Sequence, residues 1–377
     1  MKSIINEIMM LRSGKEMKID RNNTNRYRVV VQEENGSKTA YYFSTPIYNA
    51  DSRKAIDLKF HKNNSGICAV GSNAEITVTN MIRMKTKEEL CYIPLKGKAE
   101  YICDNELHCY DDILLPAANG VVYLARAERD CDFSFELEVG TPFMNVRAND
   151  KSFCLMREKF RPFMTVSCIG TINRERKVIA PAKISYEKLS DRKYRLTVKP
   201  CSTLGIYTMF EINLYEPKLF QDTTVESRNT KINNAYGSTA FIGNTEEFGE
   251  QWLYTRADFS KISDLADKRI EQAILHLPKH NSTDVELSAF KVKARFCSFG
   301  SNWNNKIASA GSVGSSSVKG EHQNLDVTAL ICDPREKKLI PSEGMILKTK
   351  IKGSGFSVIA TGDSYYAPQI LEIHYKN

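Results

Sequence analysis

From Phe290 to Phe296 the chain reads FKVKARF, in which Phe290, Val292, Ala294 and Phe296 alternate with Lys291, Lys293 and Arg295. Successive side chains of an extended segment point to opposite faces. As a strand, this one would bury the first row and present three cations at ~6–7 Å intervals on the other. Such spacing suits a linear polyanion. Trp303, Lys306 and Lys319 follow soon after and add a stacking ring and more charge, the combination that holds an acidic polysaccharide or single-stranded nucleic acid. The competing reading is a merely soluble outer face, with Trp303 as a core anchor. Lys291, Lys293, Arg295, Trp303 and Lys306 are the candidate ligand-binding residues. The expected partner is an acidic polysaccharide or cell-surface glycan, and no specific nucleic acid.

Other residue types offer weaker chemistry. Tyr365 and Tyr366 are alternative sugar-stacking residues, as is Trp252, although Trp252 precedes an apolar strand and is expected in the core. Asp222, Asp258, Asp326 and Asp363 are the carboxylates on which a structural calcium ion would draw, but no EF-hand or comparable loop accompanies them. His276 and His280 would lie one turn apart on a helix and could share a metal there. On a strand and its exit loop they diverge, which leaves two ordinary surface histidines. The chain contains no Gly-x-Ser-x-Gly elbow, Walker loop, Gly-x-Gly-x-x-Gly fingerprint or His-Glu-x-x-His pair. No catalytic residue, cofactor or metal site is assigned, although a hydrolase with two carboxylates or a polysaccharide lyase needs no such motif.

The elements that must position these residues are strands. YRVVVQ and AYYFSTPIY flank a Glu34-Asn35-Gly36 turn and form a hairpin pattern. EITVTN, VVYLAR, FSFELEV, MTVSCIG, AKISYEK, YRLTVK and FEINLY follow at regular spacing. In FSFELEV, Phe133, Phe135, Leu137 and Val139 share one face, and in YRLTVK, Tyr194, Leu196 and Val198 do, which is the period of a half-buried strand. Many short strands with few long amphipathic helices indicate an all-β fold of sandwiches. Residues 1–26, rich in Lys and Arg, read as a basic arm that is solvated and at most briefly helical. Residues 27–216 form a β-rich sandwich region, with 140–150 as the place where it would divide if it holds two subdomains. A new composition begins at 217, and Ala308–Gly320, ASAGSVGSSSVKG, reads as a flexible loop or wide turn.

The 377 residues carry 53 Lys and Arg against 45 Asp and Glu, a net charge of +8 that biases the chain toward anionic partners without naming one. Ten cysteines are dispersed with no Cys-x-x-Cys pair. They read as reduced core thiols, with Cys103 and Cys109 as the pair that oxidation would bridge. The longest apolar run near the N-terminus, Ile8 to Leu11, is too short for a secretory signal, and no stretch approaches a membrane span.

From Asp222 to Tyr375 several segments resemble the DNRLRE family, which includes disaggregatase-related repeats and alginate-type carbohydrate-binding modules. DTTVESRNTKINNAYGSTAFIGN resembles the family's opening through Asp222, Asn233, Asn234, Gly237 and Ile242-Gly243. WLYTRADFS, from Trp252 to Ser260, resembles its arginine-led strand and turn, and SNWNNK around Trp303 its tryptophan-asparagine segment. LDVTALI, GMILKT and TGDSYYAPQILEIHY resemble the later strands in order. The resemblance implies that 217–377 is a jelly-roll domain that binds carbohydrate without catalysis, outside the cell or at its surface. It also implies a strand at Ile270–Leu277, where the apolar spacing alone would admit a helix, after a helical turn at Ser260–Lys268. Lack of a Sec signal departs from the family's secreted norm. It keeps open a second reading, a self-assembling structural subunit of an extracellular or phage-related fibre, sheath or surface layer.

Overall fold

Alternation in FSFELEV becomes a strand, Phe133–Val139, with Phe133, Phe135, Leu137 and Val139 buried. It pairs antiparallel with Lys193–Pro200 so that Phe135 faces Leu196 and Leu137 faces Tyr194. Each inward residue thus meets an inward partner, the contact that stabilises a sheet. The same logic runs through a computed structural model that describes residues 4–14, 17–48, 56, 59–64, 66–72, 74–86, 90–127, 132–142, 145–216, 218–353 and 355–376. Cys131 lies outside them, and among the described residues the other nine cysteines, Cys103 and Cys109 included, form no disulfide. The fold is all-β, built from antiparallel sheets. Among the described residues no helix is long and apolar enough to cross a membrane.

The chain divides into two compact units. The first comprises Tyr48–Pro217 and Tyr236–Ser238, the second Lys2–Ile47, Lys218–Ala235 and Thr239–Asn377.

In the first unit an eight-stranded sheet runs Ala182–Lys188, Lys193–Pro200, Phe133–Val139, Leu90–Pro94, Met81–Lys85, Glu75–Val78, Gly66–Val70, His61–Asn63. A nine-stranded sheet carries Arg161–Ile172, Tyr207–Leu214 and Gly120–Arg126 at its centre. Side chains from both sheets share one core. At its middle Phe210 is fully buried, with Tyr123, Phe135 and Phe133 at ring-centroid distances of 5.1, 5.4 and 5.9 Å. Residues on both sides of 140–150 contribute to this one core, so no subdomain break falls there.

In the second unit one sheet runs Lys18–Ile19, Arg28–Gln32, Lys38–Phe43, Ile370–Lys376, Arg269–Pro278, His322–Asp326, Ser317–Lys319. The other runs Ser309–Ser315, Leu287–Val292, Met345–Thr349, Gly249–Ala257, Thr239–Thr245, Phe356–Ala360, with Phe220–Glu226 also paired to Gly249–Ala257. Ala40, Ala273, Leu275, Leu277, Leu325 and Ile373 from the first sheet pack with Leu253, Leu287, Leu347 and Ile359 from the second, which makes this unit a sandwich as well.

Several expectations need correction. The hairpin of 27–43 does not join the stretch that follows it. Lys38–Phe43 pairs with Ile370–Lys376, and Val30, Ala40 and Tyr42 enter the second core. The basic arm is anchored rather than solvated: Ile8 is buried, Arg12 pairs with Glu33 at 2.6 Å, and Glu7 lies 3.0 Å from His322. Within the serine-glycine run, Ser309–Ser315 and Ser317–Lys319 are edge strands, because small residues still offer a full backbone ladder. LDVTALI ends its strand at Asp326, whose carboxylate accepts from the Thr328 amide two residues on, and Thr328–Ile331 is a short helical turn. The strand over Ile270–Leu277 is present, as Arg269–Pro278 with Ala273, Leu275 and Leu277 buried, after two helical turns at Phe259–Lys261 and Ser263–Leu265.

Candidate ligand-binding site

The three cations of FKVKARF do not share a strand face. The strand Leu287–Val292 stops at Val292, after register shifts at Ala289/Phe290 and Lys291/Val292 against its neighbour Ser309–Ser315. Each irregularity turns the pleat, so alternation in the sequence no longer maps onto alternation between faces. Lys291 Nζ donates to the Ala329 carbonyl at 2.7 Å. Lys293 and Arg295 lie beyond the strand and are exposed, while Val292 and Phe296 are buried with Val225, Tyr254 and Ile346. Phe290 is half-buried rather than inward.

Trp303 and Lys306, by contrast, are brought together with two residues the sequence did not pair with them. Trp252, on the strand Gly249–Ala257, is half-buried, and its ring lies 4.9 Å from that of Trp303 with the planes 49° apart. Lys306 Nζ sits 4.3 Å from the Trp303 centroid and 5.6 Å from that of Trp252. Lys348, on the adjacent strand Met345–Thr349, places its Nζ 3.5 Å from the Trp252 centroid and 5.5 Å from Phe290. Both tryptophans of the chain thus meet two lysines on one face of one sheet.

Strand order sets half of this arrangement. Leu253 and Leu347 are cross-strand partners with side chains in the core, so the next residues, Trp252 and Lys348, emerge together on the opposite face. Trp252 Nε1 donates to Glu250 Oε1 at 2.9 Å, which fixes its ring. The other half hangs on a loop. Asn233 Nδ2 donates to the carbonyls of Ser298 and Ser301 at 2.6 and 2.7 Å, and the Tyr254 hydroxyl donates to Ile307 at 2.7 Å, pinning both ends of the segment that carries Trp303 and Lys306. The Lys348 ammonium is held below its ordinary range, first because burial strips water from it and also because Lys306 is near, against the pull of Glu250. Four residues therefore form an apolar platform that carries ammonium groups over ring faces, an arrangement able to receive carboxylates or sulfates of an extended anionic chain.

The remaining candidates separate. Tyr365 is buried, and Tyr366 stacks beside His280 at 6.4 Å. His276 is not a surface residue: its Nε2 lies 2.7 Å from Glu372 and its Nδ1 2.8 Å from Asn324 Oδ1. Of the four aspartates, Asp258 caps the turn at Ser260, Asp326 accepts from the Thr328 amide, and Asp222 and Asp363 are hydrogen-bonded to each other. Among the described residues no group of three or more His, Cys, Asp or Glu could hold a metal ion. A polar depression of about 480 Å³ is lined by Glu271, Asp326 and His374 among others, and its acids suit a polyanion poorly.

Lys348 and the pairing role of Trp252 were the residues that sequence reasoning missed. The available signal was GMILKT itself: with Met345 and Leu347 inward, Lys348 had to face out beside whatever the next strand presented. No protein-family model matches the chain, and no curated protein matches it either.

Proposed function

We propose that this is a non-catalytic binding protein, DNRLRE-like over about residues 220–377, that holds an acidic polysaccharide at the cell surface or outside the cell. The observation that carries the reading is the face on which Trp252, Trp303, Lys306 and Lys348 converge. Rigid rings hold the ammonium groups in place, so less side-chain freedom is lost when an anionic chain docks. Half-exposed indoles add stacking area for sugar rings. Lys293 and Arg295, exposed beyond the neighbouring strand, supply further positive charge in this reading.

The test is retention of the full chain on immobilised alginate and on neutral dextran at low and moderate salt. Alginate should be preferred, with retention falling as salt rises. Lys306→Ala and Lys348→Ala should each weaken binding about fivefold, the effect of about 1 kcal/mol for a partly desolvated cation. Equal retention on both polymers, or an unchanged double variant, would remove this face from consideration.

A further inference from the structure

A second cluster in the same unit takes no part in that face. Lys218 stands just before the strand Phe220–Glu226, Asp222 lies within that strand, and Asp363 follows the strand Phe356–Ala360. Lys218 Nζ is 3.5 Å from Asp363 Oδ1, with the two side chains only 3% and 13% exposed. The ring of Tyr365 walls the amine at 3.8 Å from its centroid. Asp222 is buried beside them. Its Oδ2 accepts from the Gly362 amide, its carboxyl is hydrogen-bonded to that of Asp363, and among the described residues no N–H or O–H donor reaches its Oδ1. Gly362 permits this approach, because a Cβ there would lie 2.7 Å from Phe220 Cβ and 2.8 Å from Asp222 Oδ2.

Two carboxyls in contact cannot both ionise. Burial drives both upward, Asp222 furthest, while the hydrogen bond and Lys218 favour charge on Asp363. Asp222 is thus the acid that keeps its proton. A dry ammonium–carboxylate pair is costly, and passage of one proton from Nζ to Asp363 leaves a neutral amine against a neutral acid. Those are the reactants of amide formation, already held together with water excluded.

We propose that Lys218 and Asp363 condense into an intramolecular isopeptide bond, with Asp222 as its acid–base catalyst. The Nζ lone pair attacks Asp363 Cγ. Asp222 hydrogen-bonds the developing oxyanion and gives its proton to the departing hydroxyl, which leaves as water. The Nζ proton then returns to the Asp222 carboxylate. One C–N bond forms, one C–O bond breaks, one water is lost, and no oxidant, cofactor or activated donor is needed. The product ties the entry of one strand to the turn after another across the second unit.

Intact-mass measurement of the purified, denatured full chain tests this directly. The wild type should be lighter than its sequence mass by one water, about 18 Da, as expected of a buried, pre-aligned pair. Proteolysis should yield a branched peptide joining Lys218 to Asp363, with no tryptic cleavage after Lys218. Asp363→Ala and Asp222→Ala should both return the chain to full sequence mass. A wild-type chain of full mass cleaved normally at Lys218 overturns the proposal whatever the variants do. So does a mass deficit without the branched peptide, which would place the lost water at another site.

Discussion

Replacing Glu372 with alanine should destabilise the second unit by about 3–5 kcal/mol, the range for removing one partner of a buried charged network. Glu372 lies mid-strand between two imidazoles, with His276 Nε2 at 2.7 Å and His374 Nε2 at 2.6 Å. Burial alone would raise its carboxyl, but hydrogen bonds from both histidines outweigh that and hold it at about 2. A carboxylate depressed on folding stabilises above its unfolded value and loses that contribution as pH falls through the folded one. The window therefore runs from about 4.5 down to about 2, over which about 3 kcal/mol is given up. Urea unfolding followed by tryptophan fluorescence reads the second unit, since Trp252 and Trp303 both belong to it. Glu372→Gln, nearly isosteric, should remove most of the acid-dependent loss in that window. A wild-type slope retained in Glu372→Gln, or a loss below about 1 kcal/mol in Glu372→Ala, would show that the network carries little.

Phe210→Ala should cost the first unit about 3–5 kcal/mol, the usual penalty for deleting a fully buried aromatic ring. Phe210 comes from one sheet and touches Phe133 and Phe135 from the other, so its loss opens a void where the two sheets meet. Phe210→Leu fills part of that volume and should cost less than half as much. Neither tryptophan reports on this unit, so far-UV circular dichroism in urea is the suitable probe. Equal midpoints for Phe210→Ala and the wild type would mean that the sheets are held elsewhere.

Strand identity was readable wherever one face is buried and the other wet. Phe133 to Val139 and Tyr194 to Val198 alternate in the sequence as they do in burial. Alternation failed at Phe290 to Phe296 because register shifts and a strand end at Val292 are set by the neighbouring strands, not by local composition. The serine-glycine run was misread for the opposite reason: backbone pairing needs no apolar side chain, so a strand can hide in a linker-like composition. For the candidate site, Trp303 and Lys306 were legible as residue types, but their meeting with Trp252 and Lys348 depends on which strands become neighbours. Likewise Asn233 drew attention as part of a pattern, and only the folded chain shows it gripping Ser298 and Ser301.

The pairing of Lys38–Phe43 with Ile370–Lys376 bears on how the protein is made. Thr39 and His374, hydrogen-bonded across that seam, are 335 residues apart in the chain. At ~5–20 residues per second, a ribosome needs on the order of tens of seconds to deliver the second partner after the first. All of Tyr48–Pro217 emerges in the interval and can fold at once, while the earlier hairpin, with Val29, Val30, Val31, Tyr41 and Tyr42 destined for burial, waits with an open edge. An unpaired apolar edge is a template for pairing with another chain, so this order of synthesis leaves the hairpin open to mispairing until the last strand arrives.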